Sequence, residues 1–124
     1  MIPVEQTLFT YPDGNCFAAC VASILELPLE AVPHFQDDDW YEKWQEWLAE
    51  RNLYFIYLGH EKSSGWRPKG LAIANVLCGD IRHAVVCLNG EMVWNPHPLR
   101  DQGVGDFEDW TVLAVLDPAK LMRL

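Results

Sequence analysis

Cys16 follows Asp13-Gly14-Asn15 and opens a run of apolar residues. The segment Asn15 to Leu27, with N-cap candidates before it and Pro28 after it, predicts a helix that has Cys16 in its first turn. A thiol at that point faces unpaired backbone N–H groups and the positive end of the helix dipole, and both lower a cysteine pKa. Cys16 is therefore placed to be a nucleophile. The competing reading is a small buried hydrophobe, as is expected of Cys20 one turn later. A second constellation favours the chemical reading. His83 begins the strand His83-Ala84-Val85-Val86-Cys87, and the strand that returns after Asn89-Gly90 ends at Asn95. A nucleophilic thiol needs an imidazole to take its proton, and the imidazole needs a third group to fix its tautomer. Cys16, His83 and Asn95 supply these groups in that order.

The hairpin register decides whether His83 and Asn95 can meet. With a two-residue turn at Asn89-Gly90, Leu88 pairs with Glu91, Asn95 falls opposite Ala84, and the two polar side chains take opposite faces. With a three-residue loop, Leu88-Asn89-Gly90, Cys87 pairs with Glu91 and His83 falls opposite Asn95. The triad requires the second arrangement, so the three-residue loop is the expectation. Pro96 biases Asn95 to extended geometry and holds it at the strand end.

The elements that must position these residues read from the periodicity. The first helix is apolar almost all round and suits a buried central position. A short helical turn is expected over Leu29 to Val32. Asp37-Asp38-Asp39 then precede Trp40, Trp44, Trp47 and Leu48 at helical spacing, which predicts an amphipathic helix to about Arg51 whose tryptophan stripe packs the core. Strands are expected at Leu53 to Leu58, Leu71 to Val76, Arg82 to Leu88, Glu91 to Asn95 and Trp110 to Leu116, with a polar, mobile loop from Gly59 to Gly70. Helices followed by strands give an α+β fold with a mainly antiparallel sheet. The 124 residues carry no linker or repeat, so residues 1–124 are expected to form a single domain.

Composition narrows the partners. Nine Lys plus Arg against eighteen Asp plus Glu give a net charge of −9 with no basic block, which argues against nucleic acid as partner. No apolar run reaches the roughly 20 residues of a membrane span, and the first ten residues lack the plan of a signal peptide, so a cytoplasmic location is expected. Cysteines in a reducing compartment are not expected to pair.

The order of a Cys at a helix start, a His on a strand and an Asn on its neighbour resembles the papain-like cysteine peptidase superfamily. More narrowly, it resembles the small papain-like cysteine peptidases of phages and bacteria. The stretches that carry the likeness are Gln6-Thr7, Gly14-Asn15-Cys16-Phe17-Ala18-Ala19-Cys20-Val21-Ala22-Ser23, Leu27 to Phe35, His83-Ala84-Val85-Val86 and Asn95-Pro96-His97-Pro98. The resemblance implies a papain-like fold and cleavage of a peptide, isopeptide or other amide through a thioester. Cys16 would attack, His83 would take and return the proton, and Asn95 would orient His83. Papain-like enzymes also place a Gln upstream of the nucleophile as an oxyanion donor. Gln6 is the candidate, further upstream than papain-type members place theirs. Asp13-Gly14-Asn15-Cys16 is also similar to the nucleophile motif of OTU-type deubiquitinases, a match of four residues that assigns no activity.

Other residues were open to the same roles. His97 could replace His83 as the base, although its Pro-His-Pro setting suits a rigid loop, and Asp80, Asp101 and Asp106 are alternatives to Asn95. His34 and His60 read as surface or packing residues. Cys16 and Cys20, with Cys78, His83 or Cys87, could ligate zinc, but the chain has no CxxC and these cysteines sit in apolar segments, so no metal or other cofactor is expected. A different class of function also fits the pattern: an inactive protein of the same fold that binds or inhibits a basic host protein through its acidic surface.

Overall fold

The computed structural model describes residues 1–9, 14–61, 63–78, 81–98 and 104–121. Two helices precede five strands: α1 (Cys16–Leu25), a 3-10 turn at Leu29–Ala31, α2 (Trp40–Ala49), β1 (Leu53–Gly59), β2 (Leu71–Cys78), β3 (Ile81–Leu88), β4 (Glu91–Trp94), β5 (Phe107–Val115) and a last short helix, α3 (Pro118–Leu121). The strands form one sheet in the order β1-β5-β2-β3-β4, and every neighbouring pair is antiparallel. The α+β architecture is thus the expected one. The last strand starts earlier than its apolar run suggests, and α3 was not anticipated. Among the described residues no helix is long and apolar enough to cross a membrane.

Pleating divides the core in two. On one face Phe55, Ile73, Ala84 and Val86 pack against Ala18, Cys20, Val21 and Ala22 of α1 and against Trp44 and Leu48 of α2. On the other, Ala72, Ala74, Val76, Val85, Cys87 and Trp110 form a second cluster with Phe107 and Val104. Alternate strand residues point to opposite faces, so this division follows directly from the apolar runs of β2 and β3, which are buried on both sides. α1 ends at Glu26, which takes a left-handed conformation (φ 58°), while the Leu27 N–H returns to the Ala22 carbonyl at 2.9 Å. α2 docks on β1 through the Gln45 amide, which donates to the Phe55 carbonyl at 3.0 Å and accepts the Phe55 N–H at 3.2 Å.

The tryptophan stripe packs as expected at Trp44 and Leu48, but Trp40, its first member, is exposed. The loop after β1 is anchored at Arg67, whose guanidinium donates to the Gly90 carbonyl at 2.6 Å and lies over the Phe107 ring at 4.7 Å. His60, read from the sequence as a surface or packing residue, accepts the Trp110 indole N–H at 3.2 Å through Nδ1.

The β3–β4 hairpin corrects the expected register. Leu88 pairs with Glu91, and the turn is the two-residue Asn89-Gly90, both residues having positive φ (52° and 84°). Such a turn matches strand twist better than the longer loop. A Cβ on Gly90 would meet the Arg67 side chain at 2.6 Å, so the turn requires glycine there twice over. The face problem raised by a two-residue turn is solved further along the strand. Cys87 pairs with Met92 but Val86 pairs with Trp94, so Val93 is a bulge. That extra residue returns Asn95 to the face of His83.

Candidate active site

Cys16 is the first residue of α1 and Asn15 its N-cap, but the Asn15 side chain does not cap the helix. Its Oδ1 instead accepts the N–H groups of Thr7 (3.0 Å) and Leu8 (2.9 Å), and its Nδ2 donates to Thr7 Oγ1 at 3.0 Å. The Asn15 N–H completes the clamp on the Leu8 carbonyl at 3.2 Å. The N–H groups of the first turn are therefore left for another acceptor, and those of Cys16 and Phe17 act on the Cys16 sulfur. A third donor is the Ala84 main chain on β3, beyond the last residues that β4 pairs. These donors lower the thiol pKa as the sequence led one to expect, but burial outweighs them and the net direction is upward. The expected low-pKa thiol is thus corrected: the resting group is a neutral thiol.

His83 and Asn95 meet, with Nε2 and Oδ1 at 2.7 Å. The Asn95 oxygen also accepts the His97 N–H at 3.0 Å, which identifies that atom as the acceptor. His83 Nε2 therefore carries the proton, and the neutral imidazole keeps its lone pair on Nδ1. Burial lowers the His83 pKa and nearby His97 lowers it further, against the opposing effect of Asn95. His83 alternates with Val85 and Cys87, so it belongs to the side of β3 away from α1. No hydrogen bond joins the Cys16 sulfur to the imidazole among the described residues. The sulfur lies against the main chain of Ala84, the neighbour of His83 on β3.

One short segment ties the helix start to the imidazole pair. Val4 donates its N–H to Ser23 Oγ at 3.0 Å, and its carbonyl accepts the Trp94 indole N–H at 2.9 Å. The Gln6 N–H then donates to the Pro96 carbonyl at 3.0 Å, beside Asn95, before Thr7 and Leu8 enter the Asn15 clamp. Gln6 is buried at 5% exposure; its Nε2 donates to the Leu8 carbonyl at 2.9 Å, while Oε1 has no partner among the described residues. Replacing Asn15 with Ala removes both acceptor bonds at once. The expected cost is about 1–3 kcal/mol, read as a lower urea midpoint, with proteolytic cleavage appearing within residues 1–9.

His97 faces Phe9 (ring centroids 5.2 Å apart) and His83 (6.2 Å), so it borders the pair. Asp106 accepts the Leu77 N–H at 3.0 Å through its main-chain carbonyl. Asp13, Asp80 and Asp101 lie outside the described residues. Cys20 and Cys87 are fully buried core residues, and burial carries the Cys87 pKa to about 11. Among the described residues, no three His, Cys, Asp or Glu side chains are grouped to hold a metal. A groove of about 630 Å³ borders the helix start, lined by Thr7, Asn15, Ala18, Leu29, Glu30 and His34.

Sequence reasoning missed the Asn15 clamp and a polar network on the α1 side of the sheet. There Asn75 Nδ2 donates to Asp109, whose other oxygen pairs with Arg82 at 3.2 Å. The available signal was Asn75 itself, an amide inside the otherwise apolar run Leu71–Cys78.

The shifted groups fix a stability optimum. His83 has a lowered folded-state pKa, so its contribution is present above about pH 6.5 and is lost as the pH falls through the folded value. Cys16, Cys20 and Cys87 have raised values, so theirs is present below about pH 8.5 and is lost as the pH rises. The melting temperature is expected to peak between these limits and to decline on both sides. A monotonic trend across pH 5 to 10 would contradict these environments.

No family model matches the chain, and neither the curated proteins nor the solved structures contain a match to it.

Proposed function

We propose that the protein is a cysteine hydrolase of papain-like type that cleaves a peptide, isopeptide or other amide through a thioester on Cys16. The observation that carries this reading is the His83–Asn95 hydrogen bond, in a tautomer that leaves Nδ1 as a base, tied by residues 4–8 to the helix start that bears the thiol.

As the sulfur attacks the amide carbon, its proton passes to His83 Nδ1 and the carbonyl π electrons move onto oxygen. The first-turn N–H groups and the second Gln6 Nε2 proton are the donors assigned to that oxyanion. On collapse the C–N bond breaks, and the His83 proton goes to the departing nitrogen. Water then gives a proton to His83 and its oxygen to the acyl carbon, and the sulfur leaves and recovers its proton. Asn95 accepts from Nε2 throughout and steadies the transient imidazolium. Because the thiol and the imidazole are both neutral at rest, His83 acts as a general base at the moment of attack.

Treatment of the intact protein with a peptide vinyl sulfone tests the reading. The expected product carries one adduct, on Cys16, formed faster than in a His83→Ala variant. Modification that is absent, or equal at Cys78, would reject it. The raised pKa of the half-buried Cys16 favours a second reading, a fold that binds without turnover; retention of biological effect by Cys16→Ala would select it.

A further inference from the structure

We infer that Trp40, Tyr41 and Tyr57 form an aromatic cage for a cationic side chain, lysine or arginine, of the substrate; this rests on the hydrolase reading for its substrate but not for its binding. The three rings are 38%, 44% and 42% exposed, although they belong to the amphipathic α2 and its partner strand β1. They do not stack. Trp40 stands at 77° to Tyr41 and 70° to Tyr57, with centroids 5.9 and 6.5 Å apart, so the rings make walls and not a layer. Buried Phe55 closes the base, 5.1 Å from Tyr41 and 5.2 Å from Tyr57. Ring faces attract a cation, and the attraction grows as water is excluded.

Charge selects the same occupant. Asp38 and Glu42 flank Trp40 and Tyr41 in the sequence and are exposed, while Asp109 lies beside Tyr57 and, after burial, raises the Tyr57 pKa. The nearby cations are already engaged: Lys43 with Asp37 (2.5 Å) and Asp39 (3.4 Å), and Arg82 with Asp109. A chain of net charge −9 adds a long-range field of the same sign. Phe17, next to Cys16, packs against Phe55 with ring centroids 6.4 Å apart, so the buried ring at the base of the cage also touches the residue beside the thiol, on the α1 side of the sheet.

Calorimetric titration of Cys16→Ala protein with acetyl-Gly-Gly-Lys-Gly-Gly-amide, and with the same peptide carrying norleucine, tests the cage without turnover. The lysine peptide is expected to bind about tenfold tighter, and Trp40→Leu and Tyr57→Leu are each expected to erase that ratio with an unchanged far-UV spectrum. Trp40→Phe, which keeps a ring face, should retain most of it. Equal binding of the two peptides, or a ratio that survives Trp40→Leu, overturns the cage. If Cys16→Ala does not fold, wild-type protein alkylated with iodoacetamide takes its place. A lysine preference in protein that no thiol probe labels upholds the cage and rejects the hydrolase; labelling without the preference does the reverse.

Discussion

Replacing Cys16 with Ala is expected to abolish both adduct formation and amide cleavage, and replacing His83 with Ala to lower the rate of either by about 10²–10⁴, the usual worth of a positioned base. The two losses differ in pH dependence. In wild type the acid limb should lie below the ordinary imidazole range, because burial lowers the His83 pKa and only its neutral form can take the thiol proton. Without His83, sulfur reacts only as free thiolate, and burial has moved that species upward. The His83→Ala rate should therefore climb steadily through pH 9, where wild type has levelled. Asn95→Ala belongs to the same experiment: it removes the acceptor that fixes Nε2–H, so it should slow the reaction less than His83→Ala does. Equal rates in wild type and His83→Ala at pH 7 would remove the imidazole from the mechanism.

The largest loss of stability is expected from Trp110→Ala. Trp110 is fully buried on β5, between β1 and β2, where it pairs with Ala74 and Leu58. It stacks on Phe107 (4.9 Å between centroids, 29° between planes) and gives its indole proton to His60. Its cross-strand neighbours Ala72 and Ala74 are too small to fill the space. The expected cost is about 3–5 kcal/mol, a large share of the roughly 5–15 kcal/mol of a domain. Urea unfolding followed by circular dichroism would show it as a midpoint shift at constant slope. Trp110→Phe should recover part of the loss, the remainder reflecting an unpartnered His60 Nδ1. A shift worth less than about 1 kcal/mol would mean that this side of the sheet is loosely packed.

Much of this architecture is legible from periodicity. The apolar run after Asn15, the spacing of Trp44 and Leu48, and the two-sided burial of β2 and β3 each depend on local pattern alone, and the elements form where those patterns lie. The pairing of His83 with Asn95 was also readable, but for the wrong geometrical reason. Alternation permits one correction per extra residue, and a sequence does not mark whether that residue sits in the turn or in the strand. Turn chemistry favoured Asn89-Gly90 as a two-residue turn, and the strand took the bulge. The direction of the thiol pKa was misjudged because the helix start is local and visible in sequence, whereas the desolvation of Cys16 comes from packing against a core cluster assembled from segments distant in the chain. The strap of residues 4–8 was illegible for the same reason: its bonds reach Ser23, Trp94 and Pro96.

The bulge at Val93 has a bearing on how such sites are recognised. His83 and Asn95 are twelve positions apart here, but one of those positions adds nothing to the ladder. A chain that lacked the equivalent of Val93 would keep Val86 opposite Trp94 and would present the same pair with one residue fewer between them. The interval between histidine and asparagine is thus elastic by one, while the face they share is not, and a search pattern for this site should fix the parity of the ladder and let the spacing vary.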